Sequence, residues 1–281
     1  MRGVQASYIN PVQTLSDSYK EARMSENMQS FLIGYADPRV SKYFNPSTYT
    51  RSSAGSYQGI RSGSVVSSTN AVTYQSFSSL QTDFDVVWMP AAEVYFLRAE
   101  GALLGWNMSG TPQSLYEAGI STSFGQWGAA NVSGYITNAT SKPANYQAPL
   151  NSNNNSQPTE IDTTTIKWND TYSVSAKLQK IITQKWIALY PDGQEAWSEQ
   201  RRTGFPSIFT VKFNQSGGTV NTNSRVRRLP YPNSESQQNT TNLAKGVQLL
   251  ISNPIPPTFL KVITEALICG GIKDKIFFTI K

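Results

Sequence analysis

The chain has 281 residues, with Lys+Arg 24 against Asp+Glu 18 for a formal charge of +6, no histidine and one cysteine. Without imidazole there is no Ser/His/Asp or Cys/His triad, no HExxH metalloprotease centre and no His-ligated metal, and without a second thiol there is no intrachain disulfide or CxxC site. What remains is carboxylate chemistry, a lysine Schiff base, oxygen-ligated Ca²⁺ or Mg²⁺, or binding without catalysis. Hydrophobic residues at 38% and aromatics at 11% suffice for a core, while charged residues are only 15%, against an average of about 25% in soluble domains. Asn, Gln, Ser and Thr therefore cover the surface, a composition associated with secreted and cell-surface proteins. The only dense basic run is Arg225, Arg227 and Arg228, with Arg201 and Arg202 apart from it, which is weak support for a nucleic-acid footprint. Lys261 and Glu265 interrupt the most apolar stretch, so no segment is long and apolar enough to cross a bilayer. The first residues contain no apolar run of the kind a signal peptide needs.

In chain order, Ser25 to Gly34 reads as a helix with Ser25 as N-cap. Residues 43–85 are rich in Ser, Gly and Tyr without a period of 3.6 or 2, which reads as long loop or short strands. The segment from Met89 to Gly105 is the strongest helix. Val94, Leu97, Gly101 and Leu104 form one stripe and Ala92, Phe96, Ala99 and Leu103 a second, so it is expected to be sandwiched between other helices. Thr111 and Pro112 then supply an N-cap and a first-turn proline, opening a helix through Trp127 with Tyr116, Ile120, Phe124 and Trp127 on its stripe. Two helices joined by a short turn make a helical hairpin.

Residues 131–171, with NSNNNSQPTE and several prolines, read as loop. Another helix is expected from Ser173 to Tyr190, ended by Pro191, with Lys177, Lys180 and Lys185 on a solvated face. Asp192 and Glu195 resemble a capping box for a shorter helix that Gly204 and Pro206 terminate. Pro230 and Pro232 force an extended path, and 239–245 reads as one or two helical turns. From Ile251 the polar background gives way to Ile, Phe and Lys, and Cys269, the single cysteine, lies there.

Taken together, GYADPRVSKYF (34–44), YQGIRSG (57–63), MPAAEVYFLRAEGALLGW (89–106), LYEAGISTSFGQWG (115–128), KIITQKWIALYPDGQEAWSEQRRTGFP (180–206) and RRLPYPNSE (227–235) resemble, in order and spacing, the SusD/RagB family of nutrient-binding outer-membrane lipoproteins, most closely its second, SusD-like subgroup. The resemblance implies a mainly α fold of tetratricopeptide-like helical hairpins packed against a loop-rich irregular region with few short strands. It also implies an extracellular location on the outer membrane of Bacteroidota-type cells. The partners it implies are a SusC-like TonB-dependent transporter and a glycan or other nutrient, and neither a catalytic residue nor a cofactor, a structural Ca²⁺ aside. On this reading residues 1–250 form a partial SusD-like domain without the family's N-terminal half, and 251–281 an atypical tail, as a frameshift would give.

Sugar recognition of this kind stacks an aromatic face on the apolar face of a pyranose while nearby amides bond its hydroxyls. The candidate ligand-binding residues are Tyr57, Tyr74, Trp127 and Trp168, with Gln126 and Asn131 as polar partners. Against this, Trp127 also closes an apolar stripe and fits the core. Trp186 and Trp197 lie in helix motifs and read as packing residues. A glycosidase needs two carboxyls about 5–9 Å apart across a cleft. The best carboxylates are Asp192, Glu195 and Glu199, or Glu93 and Glu100; Glu195 and Glu199 share a helix face, but capping by Asp192 and Glu195 and pairing of Glu199 with Arg202 explain them better. Asp37-Pro38-Arg39 reads as a turn fixed by the aspartate. The leading expectation is non-catalytic capture of a nutrient, followed by a structural lid or adhesin without its own ligand site and, third, a glycoside hydrolase.

Overall fold

The computed structural model describes residues 10–49, 57–65, 72–83, 86–149, 151–218, 220–223, 225–226 and 232–245. Their helices are α1 (Pro11–Gln13), α2 (Glu26–Gly34), α3 (Val40–Tyr43), α4 (Val72–Gln75), α5 (Ala91–Leu103), α6 (Pro112–Trp127), α7 (Val132–Ile136), α8 (Val174–Ala188), α9 (Gly193–Thr203) and α10 (Asn233–Gln238). In place of the expected short strands, the described residues show isolated bridges, among them Ser25 with Ile60 and Phe44 with Leu80.

The long helices begin where capping chemistry places them. Ser25 Oγ accepts from the Met28 amide at 3.2 Å, and Ser173 Oγ from the Ala176 amide at 3.2 Å. Thr111 and Ser114 exchange side-chain-to-amide bonds of 3.1 and 3.0 Å, and Asp192 Oδ1 accepts from the Glu195 amide at 3.0 Å. Each satisfies a donor that the first helical turn leaves without an intrahelical partner. Gly128, at φ +58°, stops α6 in the left-handed conformation that glycine adopts without penalty.

The core is the α5–α6 hairpin with α8 laid across both helices. Ala92, Phe96 and Ala99 of α5 meet Tyr116, Ile120 and Phe124 of α6, all buried, with the Phe96 and Tyr116 rings edge-on at 6.4 Å. A Cβ on Gly119 would lie 2.8 Å from the Phe96 ring, so the missing side chain is what lets the two helices close. Ile181 and Ile187 of α8 complete this core, and Trp186 packs on Phe31 of α2 at 5.6 Å. The other stripe of α5 does not find the second layer expected of it. Val94, Leu97 and Leu104 point away from α6 and remain exposed.

The irregular part is threaded rather than merely looped. Residues 58–60 run beside the start of α2, where the Glu26 amide donates to the Ile60 carbonyl at 3.1 Å and the Ile60 amide to the Met24 carbonyl at 2.8 Å. A Cβ on Gly59 would meet the Ser25 carbonyl oxygen at 2.4 Å, and one on Gly34 the Ala144 amide at 2.4 Å, so both glycines mark close backbone approach.

Two segments differ from the sequence expectation. Residues 131–171 include α7 and two short 3₁₀ turns, Ser152–Asn154 and Pro158–Glu160. The helical turn of α7 has weak local propensity and is held by Tyr135, which is buried against Phe124 at 4.9 Å. The polar stretch after Pro232 forms α10, while residues 240–245 are helical as expected. The chain divides into two compact units, one of residues 1–200 and 205–212, the other of 201–204 and 213–281. In the second, Asn214 closes a turn by donating to the Val220 carbonyl at 2.6 Å. The boundary at 250/251 and Cys269 lie outside the described residues, as do Arg227 and Arg228.

Candidate functional site

The turn at Asp37-Pro38-Arg39 does more than change direction. Asp37 Oδ1 accepts from the Arg39 amide at 3.0 Å, as a turn-forming aspartate does, and the carboxylate then takes the Arg39 side chain, Nη2 to Oδ2 at 2.6 Å. Both side chains are fully buried. The guanidinium reaches Ser123 Oγ of α6 at 2.9 Å and Gln184 Oε1 of α8 at 3.3 Å, and lies over the Phe124 ring at 4.7 Å. Burial acts against its charge, yet Asp37 outweighs it and the pKa stands above that of free arginine. A charge this deep persists only when paired and hydrogen-bonded.

Three of the carboxylates weighed for glycoside hydrolysis, Glu93, Glu195 and Glu199, meet at one buried lysine. Lys185 Nζ lies 3.2 Å from Glu93 Oε1 of α5 and 3.2 Å from Glu199 Oε1 of α9, with Glu195 Oε1 at 3.7 Å. The lysine is therefore no part of a solvated face. Lys180 is likewise buried, and its ammonium donates to the carbonyl and hydroxyl of Thr165. Burial lowers its pKa to about 8. For Lys185 the signal was in the sequence, since it stands four residues after Ile181 and three after Ile182, on the apolar stripe. Only Lys177, 3.9 Å from the exposed Asp170, fits the surface reading. Glu195 and Glu199 face one ammonium ion and thus act as ion-pair partners joining α5, α8 and α9. Among the described residues no three His, Cys, Asp or Glu side chains are grouped to hold a metal ion.

The four candidate aromatics occupy different surroundings. Trp168 is 5% exposed, with its ring 5.3 Å from Tyr116 and its indole N–H donating to Asp170 at 2.8 Å. Tyr74 is 9% exposed. Its hydroxyl donates to the Glu21 carbonyl at 2.7 Å, and the Arg23 guanidinium sits 5.3 Å from its ring. Trp127 and Tyr57 are half-buried and packed against the core. Trp127 stands edge-on to Tyr43 at 4.8 Å, and Tyr43 stacks on Tyr190 at 4.3 Å. The Tyr190 hydroxyl donates to the Tyr43 carbonyl at 2.8 Å and the Tyr43 hydroxyl to the Ile187 carbonyl at 3.1 Å. Burial raises the Tyr43 pKa to about 12. Trp127 is thus the outer member of a locked aromatic stack at the end of α6, beside the exposed Gln126 and close in sequence to the exposed Asn131.

A family model described as SusD-like, Susd and RagB outer membrane lipoprotein, matches residues 2–259. The chain belongs to the SusD-like family. Among solved structures, a chitin-binding SusD homologue from Flavobacterium johnsoniae is 44% identical, with a TM-score of 0.76, over 89% of this chain and 51% of that one. A SusD homologue from Bacteroides thetaiotaomicron is 36% identical, with a TM-score of 0.75, over 90% of this chain and 53% of that one. A third, from Bacteroides uniformis, is 35% identical, with a TM-score of 0.76, over 90% and 52%. The SusD-like chain described here therefore spans about half the length of these relatives. No curated protein matches it. The mainly helical fold and the hairpin agree with the SusD-like assignment, and two of the motifs that carried the resemblance now have physical roles. GYADPRVSKYF supplies the buried Asp37–Arg39 pair, and YQGIRSG the threaded segment at Gly59.

Proposed function

We propose that this SusD-like chain takes part in capturing an oligosaccharide at the outer face of the outer membrane, without catalysis, for delivery to a SusC-like TonB-dependent transporter. The observation that carries the reading is the 44% identity to a chitin-binding SusD homologue across 89% of this chain. The first ligand class to test is accordingly a β-linked N-acetylglucosamine oligomer. Trp127 and Tyr57 are the proposed ring contacts, because each is packed against the core yet only half-buried. Gln126 is the amide nearest Trp127 in sequence and supports hydroxyl recognition there. Trp168 and Tyr74 enter the proposal as supports of the neighbouring backbone, since their hydroxyl and indole donors are already committed to Glu21 and Asp170.

Isothermal titration with chitohexaose and a wider glycan panel tests this, using this chain and the Flavobacterium homologue side by side. Trp127→Ala is expected to weaken binding by about tenfold or more, the scale of one lost aromatic contact, with the helical circular dichroism unchanged. A chain that stays folded and binds no glycan overturns the reading. The second reading, a structural lid or adhesin without its own ligand site, is favoured by the burial of two of the four aromatics. Uptake that is unchanged in the Tyr57→Ala/Trp127→Ala double variant, with transporter complex formation intact, selects it.

A further inference from the structure

Trp127 is fixed by the ring stack at the end of α6, whereas Tyr57 lies outside any helix and takes its position from hydrogen bonds made by the two residues that follow it. The Gln58 amide donates to Ser78 Oγ at 3.0 Å, and the Ser78 amide donates back to the Gln58 carbonyl at 2.9 Å. The Gly59 amide donates to Gln29 Oε1 of α2 at 2.7 Å, and Gln58 Nε2 donates to the same oxygen at 3.1 Å. One side-chain oxygen thus receives a backbone and a side-chain donor, which fills both of its acceptor positions. Burying that oxygen in α2 costs free energy unless it accepts, and residues 58 and 59 are what satisfies it. Gln29 stands four residues after Ser25, on the side of α2 against which Gly59 lies, since the Ser25 carbonyl is what a Cβ on Gly59 would meet. Gln29 is 2% and Ser78 0% exposed, so a ligand reaches neither.

We propose that Gln29 and Ser78 are positioning residues of the capture site, which they serve through Tyr57 without touching the glycan. The peptide between Tyr57 and Gln58 is planar, so aiming its N–H at Ser78 Oγ sets the direction in which the backbone leaves Tyr57, and Gln29 holds the next peptide in place. The ring is then presented before a sugar arrives, and ordering an irregular segment takes nothing from the binding energy. Removal of either acceptor leaves a buried N–H unbonded and lets residues 57–59 leave this seat. The apparent affinity then falls with the fraction of molecules that remain seated. The inference rests on the reading of Tyr57 as a ring contact.

Gln29→Met, which removes the acceptor at similar volume, and Ser78→Ala, which removes one hydroxyl, are compared by isothermal titration with chitohexaose in the natural chain and in the Tyr57→Ala background. With Tyr57 present, each is expected to weaken binding about fivefold. Hydrogen exchange is expected to quicken by about tenfold or more at the Gly59 amide in Gln29→Met and at the Gln58 amide in Ser78→Ala. In the Tyr57→Ala background, which retains Trp127, neither substitution is expected to change the affinity further. An equal loss in both backgrounds overturns the proposal, because it makes the two residues general supports of the fold. Unchanged binding alongside faster exchange overturns it as well. A natural chain that binds no glycan overturns the capture reading alone. The ¹⁹F resonance of 3-fluorotyrosine at position 57 then decides the positioning, moving in both variants if Gln29 and Ser78 seat the ring and staying in place if they do not. Ser78→Ala carries every comparison by itself if Gln29→Met fails to fold.

Discussion

The Arg39 guanidinium closes on the Asp37 carboxylate at 2.6 Å with both side chains fully buried, two residues apart in a turn yet at the centre of the helical core. Because Arg39 also bonds Ser123 of α6 and Gln184 of α8, the pair connects the irregular region to the hairpin. Asp37→Asn leaves the arginine without its counter-charge, and Arg39→Met leaves the carboxylate alone. Each is expected to cost about 3–5 kcal/mol, the scale for breaking a buried ion pair. The double variant should cost less than the sum, which a urea-denaturation double-mutant cycle measures directly.

Lys185→Met is expected to destabilise the chain by about 3–5 kcal/mol at neutral pH, by leaving Glu93 and Glu199 buried without their cation. Burial already raises the Glu93 pKa above its ordinary value, with Lys185 opposing the rise. A carboxyl with a raised folded pKa binds more protons folded than unfolded, so its cost is relieved as pH falls toward the ordinary value of 4.5. The defect of Lys185→Met should therefore shrink between pH 7 and pH 5. A defect that stays constant over that range would show that protonation of Glu93 does not relieve the loss of Lys185.

Lys180 gives the opposite sign. Its folded pKa of about 8 lies below the ordinary 10.5, so between those values the unfolded chain binds the extra proton and stability rises with pH. Compared with Lys180→Met, the natural chain should gain about 2 kcal/mol between pH 8 and pH 10. The difference between the two denaturation curves isolates this gain from the buried tyrosines, whose raised pKa values act above pH 10.

Gly119→Ala forces a methyl against the Phe96 ring at 2.8 Å and should cost about 1–3 kcal/mol, the range for overpacking a core. Gly34→Ala meets the Ala144 amide and the Lys142 carbonyl, both at 2.4 Å. A ring can turn aside, whereas a hydrogen-bonded backbone cannot, so the second variant should lose at least about 3 kcal/mol. Thermal melts of the two variants rank them.

Of the candidate site, residue types were legible and surroundings were not. Trp127, Tyr57, Tyr74 and Trp168 all stand in segments without strong periodicity or at a helix end, where the sequence gives no inward or outward side. Trp168 is held inward by packing on Tyr116, with its indole N–H donating to the exposed Asp170, and Tyr74 is held by Glu21 and Arg23, partners 2 to 53 residues away. Lys180 and Lys185 were misplaced for a related reason. Charge by itself points both outward, whereas Lys185 has the Glu93 and Glu199 carboxylates beside it and Lys180 the Thr165 carbonyl to accept its hydrogen bond.

The sequence by itself determined the elements whose causes are local: the caps at Ser25, Thr111, Ser173 and Asp192, the glycine stop after Trp127, the apolar stripes of α5, α6 and α8, and the family motifs. These depend on residues within one helical turn or on a fixed spacing, so no distant partner is needed to read them. Tertiary structure alone decided which stripe of α5 is covered, that the turn residue Arg39 is also a buried hub, that α7 forms against it, and which aromatics stay only half-buried. Each of these is a contact between segments up to 145 residues apart, and its free energy comes from burial and charge pairing that exist only once those segments meet.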